Sequence, residues 1–158
     1  MPKTPLFRSI LVGTDGSPTA ATAVHHAISL AEDADARLVI AAAFQTAQPQ
    51  RTAGDRTAGD SLTAPEDIRF TMDPEEYARA VLETCAEDAR TAGVTDVVTV
   101  ARMGGAADVL LDVAEEQECD LIVVGNKGMT GARRLLVGSV PNNVSHGAAC
   151  SVMIVRTT

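Results

Sequence analysis

Tryptophan is absent, and one Tyr and three Phe are the only aromatic residues among 158. A core made from such a sequence relies on Val, Ile, Leu and Ala. That suits α/β layers and argues against an all-β sandwich, which usually leans on aromatic side chains. Lysine is almost missing too, occurring only at Lys3 and Lys127, so the other basic side chains are arginines. Asp and Glu outnumber Lys and Arg by 21 to 13, giving a formal net charge of −8. An acidic surface repels nucleic acid and anionic membranes, and neither is expected as a partner. Acidic, lysine-poor composition fits a high-salt cytoplasm and a GC-rich genome equally well.

Cysteines are few, odd in number and far apart (Cys85, Cys119 and Cys150), with no CxxC or Cys/His spacing for zinc. They read as reduced, buried thiols of a cytosolic protein. His25, His26 and His146 show no metal spacing either. The apolar run near the N-terminus is too short for a signal peptide, and no stretch has the length of a membrane span. A soluble, cytoplasmic protein is expected. Nothing resembles a Ser/His/Asp set or a carboxylate pair, so rapid catalysis is not expected. The length suits one domain, residues 1–158, with a full core and a polar insertion at about 46–70.

Short, β-branched apolar runs alternate with helical patterns. Arg8 to Thr14 and Arg37 to Phe44 read as strands buried on both faces, with a helix between them that starts at Ser17-Pro18 and ends near Asp33. The segment from Thr46 to Phe70 differs in character. It holds a perfect tandem repeat, RTAGD at 51–55 and again at 56–60, too polar to build a core. It reads as a mobile surface excursion, with a lid or partner-binding loop as the other reading.

Asp73-Pro74-Glu75-Glu76 starts a second helix, running through Tyr77, Ala80, Val81 and Cys85 to a stop at Gly93. Val97 to Ala101 is a third strand, and Val109, Leu110, Val113 and Ala114 mark the inner face of the helix after it. Leu121 to Val124 and Ser151 to Arg156 complete five strands, with a short helix between them. Such alternation predicts an α/β fold with a doubly wound parallel sheet. Ligands bind these sheets at the carboxyl ends of the strands, where strand order reverses. Strands one and four are the natural neighbours there, which brings Asp15 beside Gly125.

The fourth strand runs into Gly125 and Gly128, and Gly138-Ser139 follows after nine intervening residues. Glycines at both ends of a loop let backbone N–H groups approach an anion, and the next helix start adds donors and partial positive charge. Ser139 reads as that helix's N-cap, with Pro141 in its first turn. The pattern is neither a P-loop nor a dinucleotide GxGxxG. Gly125-x-x-Gly128, nine residues, then Gly138-Ser139 resembles the signature of the universal stress protein family in its ATP-binding branch. The likeness runs from Ser9 to Arg156, with 46–70 atypical.

The resemblance implies strand order 3-2-1-4-5 and a site for an adenine nucleotide, ATP first, with or without Mg²⁺. It places Gly13, Thr14 and Ala43 near the adenine, with Val124 lining the same pocket. Asp15 either contacts the ribose or base, or caps a turn; the resemblance favours ligand contact. Gly125, Gly128, Gly138 and Val140 belong to the phosphate cradle, and Lys127 offsets phosphate charge. Arg133 and Arg134 read as solvated surface. Ser139 either donates to a phosphate or caps the helix. One common family pattern has a hydroxyl two positions after this serine, where Pro141 stands here; that loss weakens a triphosphate more than AMP or ADP. Family members commonly pair through the last strand, so a homodimer through Ser151 to Arg156 is expected. The other functions weighed are a nucleotide-free interaction protein and a slow ATP hydrolase.

Overall fold

A computed structural model describes residues 3–45, 73–126 and 138–157. Among them the chain alternates strand and helix throughout: β1 (Ser9–Gly13), α1 (Pro18–Ala34), β2 (Arg37–Phe44), α2 (Pro74–Ala92), β3 (Val97–Met103), α3 (Ala106–Glu116), β4 (Leu121–Gly125), α4 (Ser139–Gly147) and β5 (Ser151–Val155). The strands form one parallel sheet in the order β3-β2-β1-β4-β5. This is the expected fold and order. The repeat segment, Lys127 and Gly128 lie outside the described residues.

The sheet is covered on both faces because its central strands are apolar at every position. Successive side chains point to opposite sides. Ile10, Val12, Leu38, Ile40, Leu121 and Val123 pack into one layer with α1 and α2. Leu11, Val39, Ala41, Ile122 and Val124 pack into the other with α3 and α4. The few aromatics leave these layers to small aliphatic side chains, and alanines at Ala23, Ala27 and Ala31 let α1 lie close to the sheet.

Helix starts and stops follow local chemistry. Ser17 caps α1 by accepting the Ala20 N–H at 3.1 Å, and Pro18 fits the first turn. Gly93 ends α2 with φ of 107°, a conformation that favours glycine.

Two sequence expectations need correction, while α2 runs to Ala92 as expected. The third strand continues past Ala101 to Met103, because β2 stays paired with it as far as Phe44. On α2 the buried stripe is Ala78, Leu82, Ala86 and Ala89. Ala80 is exposed, and Tyr77 and Val81 instead cover the turn at Gly16, where an added Cβ would lie 3.1 Å from the Tyr77 hydroxyl and 3.0 Å from Val81. The N-cap of α4 is Gly138, not Ser139, which is the first helical residue.

A polar clasp fixes the amino-terminal edge of the sheet. Both Asp120 oxygens accept backbone N–H groups at the start of β1, from Arg8 at 2.9 Å and Ser9 at 3.2 Å. The Arg37 guanidinium donates to the Ser9 hydroxyl and to the Gln117 carbonyl. These bonds satisfy strand ends that have no ladder partner.

Candidate functional site

At the opposite edge, β1 and β4 are neighbours while their following helices go to opposite faces, so the sheet opens into a crevice between them. Gly13, Ala41, Ala43, Ala106 and Leu110 supply an apolar floor. Val124, Gly125, Val140 and Pro141 form one wall, and Thr14, Asp15 and Ala20 stand at the other side. The space is about 600 Å³ with its open mouth and adjoining solvent included.

Small residues make this space. Leu110 of α3 crosses the end of β1 so closely that a Cβ on Gly13 would sit 2.9 Å from its Cδ1. β1 pairs with β2 only as far as Ala41, and the Thr14 N–H closes that edge by donating to the Ala41 carbonyl at 2.9 Å. Ala43 lies beyond this point, where β2 continues beside β3 alone. Its backbone therefore borders the crevice, as a backbone contact to a base requires.

The turn after β1 is held by its own polar side chains. The Thr14 hydroxyl accepts from the Gly16 N–H at 3.2 Å, and Asp15 Oδ1 accepts from the Ser17 N–H at 2.9 Å. Asp15 thus performs the turn-capping role and lines the crevice as well. Among the described lining residues it carries the only charged side chain.

The second wall depends on Asn126, which the sequence reading passed over. Its carbonyl oxygen accepts the Gly138 N–H at 3.0 Å, its N–H donates to the Val155 carbonyl at 2.9 Å, and its Oδ1 accepts both the N–H and hydroxyl of Thr157 at 2.8 Å. One residue thereby joins the end of β4, the start of α4 and the chain after β5. A Cβ on Gly138 would stand 3.3 Å from the Asn126 oxygen, a tight contact that glycine at the cap position avoids.

Of the expected site residues, Gly13, Thr14, Asp15, Ala43, Val124, Gly125 and Val140 line the one crevice. Gly138 and Ser139 stand at the start of α4, beside it. Lys127 and Gly128 fall outside the described residues. The lining also includes Ala20, Ala41, Ala106 and Leu110, which sequence reasoning missed. The signal for the last two was present: Ala106 and Leu110 are spaced i, i+4 on one helix face, directly after a glycine pair. No group of His, Cys, Asp and Glu among the described residues could hold a metal ion. No described helix is long and apolar enough to cross a membrane.

Comparison with known proteins agrees with this geometry. Residues 6–156 match the model of the universal stress protein family. The universal stress protein Rv1636 of Mycobacterium tuberculosis is 38% identical over 152 residues, covering 96% of this chain and 98% of that protein. Among solved structures, a universal stress protein in complex with cAMP superposes with a TM-score of 0.68 at 31% identity, covering 96% of this chain and 98% of the other. UspA from Lactobacillus plantarum superposes with a TM-score of 0.72 at 25% identity, covering 94% and 97%. With the family match spanning nearly the whole sequence and the crevice built at the reversal of strand order, this chain belongs to the universal stress protein family.

Proposed function

We propose that this protein binds an adenine nucleotide in the crevice between β1 and β4 and acts as a cytoplasmic stress-response regulator. The observation that carries the reading is the crevice itself: an apolar floor bordered by the backbone of β2, with the start of α4 at its far wall. A 31% identical relative was solved with cAMP, an adenine nucleotide. Gly13, Thr14 and Ala43 would hold the adenine, Asp15 the ribose, and Gly125, Gly138, Ser139 and Val140 the phosphate end, with Lys127 and Gly128 contributing from the loop between β4 and α4. ATP, ADP and AMP all share the adenosine that these contacts recognise; Mg²⁺ would accompany the longer phosphate chains.

The whole chain acts as one domain in this reading, and two copies pair through β5. That strand is a sheet edge whose Ile154 is 38% exposed, an apolar edge that pairing with a second copy covers. Binding would change the conformation that the dimer presents rather than drive turnover.

Isothermal titration with ATP, ADP, AMP and GTP tests the proposal. Saturable binding of adenine nucleotides, with GTP much weaker, is the expected result. Binding of none at millimolar concentration removes the ligand reading and leaves a nucleotide-free interaction protein. Steady release of phosphate from ATP that stops in Asp15→Asn, with binding retained, would instead make the protein a slow hydrolase.

A further inference from the structure

We infer that Cys119 and Cys150 form a thiol-oxidation site, a pair that a low-molecular-weight disulfide converts into an intramolecular disulfide bond. The two residues are distant in sequence, but parallel pairing brings their strands together. β4 and β5 are neighbours with Leu121 opposite Ser151, so Cys150 stands one residue before the ladder and Cys119 two residues before it. Neighbouring strands lie about 4.8 Å apart, inside the roughly 4.4–6.8 Å that a disulfide spans between Cα atoms. Both cysteines pack into the same layer, the one that holds α3 and α4. Both also line one cavity, bordered by Leu111 and Glu115 of α3 and by Gly147 and Ala148 at the end of α4. Cys85, on α2, belongs to the other layer, across the sheet from this pair.

Exposure gives the two thiols different parts. Cys119 is 8% exposed and accepts from the Ser9 hydroxyl at 3.5 Å, while Cys150 is only partly buried. Cys150 is therefore the attacking thiol. Its thiolate displaces one thiolate from the small disulfide and leaves a mixed disulfide at Cys150 Sγ. The Cys119 thiolate then attacks that sulfur, forms the Cys119–Cys150 bond and releases the second small thiolate. Two protein thiols are oxidised, the small disulfide is reduced to two thiols, and the two protons pass through solvent to the departing thiolates. Burial raises both protein thiols above their ordinary 9.0. At Cys150 the neighbouring Cys119 and Asp120 add to that rise; at Cys119 the Ser9 hydroxyl and Arg37 oppose it and Asp120 adds to it. Asp112, Glu115 and Glu118 also border the cavity and disfavour a thiolate there. Exchange is accordingly slow at neutral pH and speeds up as pH rises. The crevice wall of Val124, Gly125, Val140 and Pro141 lies between the two cysteines in sequence, so the bond constrains the stretch that carries it.

Incubation of the reduced full chain with oxidised glutathione at about pH 8.5, followed by intact mass and thiol titration, tests this. The expected product has lost two hydrogens and keeps one of its three titratable thiols, and its digest contains a peptide that links Cys119 to Cys150. Cys119→Ser should stop at the glutathione adduct of Cys150. Cys150→Ser should react at least about tenfold more slowly than wild type, and Cys85→Ser should close as wild type does. Lowering the pH to about 7 should slow wild-type closure by roughly tenfold or more, as the thiolate fraction falls. A wild type that stops at the glutathione adduct, keeps all three thiols or links Cys85 overturns the inference. Equal rates for wild type and Cys150→Ser overturn the assignment of the attacking thiol. The wild-type arm stands without the variants, and a thermal melt of each variant shows whether it has folded.

Discussion

One added carbon is enough to test the crevice. A Cβ on Gly13 would lie 2.9 Å from Leu110 Cδ1 and 3.0 Å from Cδ2, both ends of a flexible side chain. Gly13→Ala should therefore fold, with Leu110 turned into the pocket, at a cost of about 1–2 kcal/mol. Nucleotide affinity should fall by roughly tenfold, since overpacking on this scale at a ligand wall costs about 1–3 kcal/mol. Calorimetry and urea unfolding on the same preparation check both halves. Asn126 is the other sensitive residue. Its side chain accepts two hydrogen bonds from Thr157, and Asn126→Ala removes that acceptor and leaves the Thr157 groups to water. A loss of about 1–2 kcal/mol in urea unfolding is expected; an unchanged midpoint would mean that the clasp contributes nothing.

Elements carry the next set of contacts. Most of the strand and helix assignments were legible, because uninterrupted apolar runs, Ser-Pro and Asp-Pro starts and Gly93 each act within a few residues. What stayed hidden depends on neighbours distant in sequence. Ser139 looked like a cap because it has the capping side chain, yet Gly138 takes the cap, where a Cβ would stand a tight 3.3 Å from the Asn126 carbonyl oxygen. On α2, periodicity alone does not distinguish the alanine stripe facing the sheet from Tyr77 and Val81, which cover the Gly16 turn. At the sheet's amino edge, Asp120→Ala leaves the Arg8 and Ser9 N–H groups without their acceptor. That should cost about 1–3 kcal/mol without changing nucleotide affinity, read by chemical denaturation and titration in parallel. For β5, Ile154→Asp should leave the fold intact and convert a dimer to a monomer in sedimentation equilibrium. A wild type that is itself monomeric would remove the pairing proposal.

At the scale of the molecule, two apolar layers and a five-stranded sheet put the crevice at one end and the Asp120 clasp at the other. The convergence of Asp15 and Gly125 could be read from the sequence because strand order in a doubly wound sheet fixes where distant loops meet. The floor residue Ala41 could not, because only packing between the layers brings it there. Burial of a thiol also contributes to a decline of stability at alkaline pH. It raises the Cys119 thiol above its ordinary 9.0, against the lowering effect of the Ser9 hydroxyl. A raised folded value means stability is fully present below the unfolded thiol value and is lost as pH climbs from there through the folded value. Cys119→Ala should flatten that alkaline decline, as measured by denaturation at a series of pH values from neutrality upward.

The central claim is that an adenine nucleotide occupies the crevice between β1 and β4. Its most direct test is an amide nitrogen–proton NMR titration of the labelled protein with AMP. The account predicts that the largest shifts cluster at Gly13, Thr14, Ala43, Val124, Gly125 and Val140, while Arg8, Ser9 and Asp120 at the opposite edge stay still. Shifts confined elsewhere, or none at saturating AMP and ATP, would contradict it.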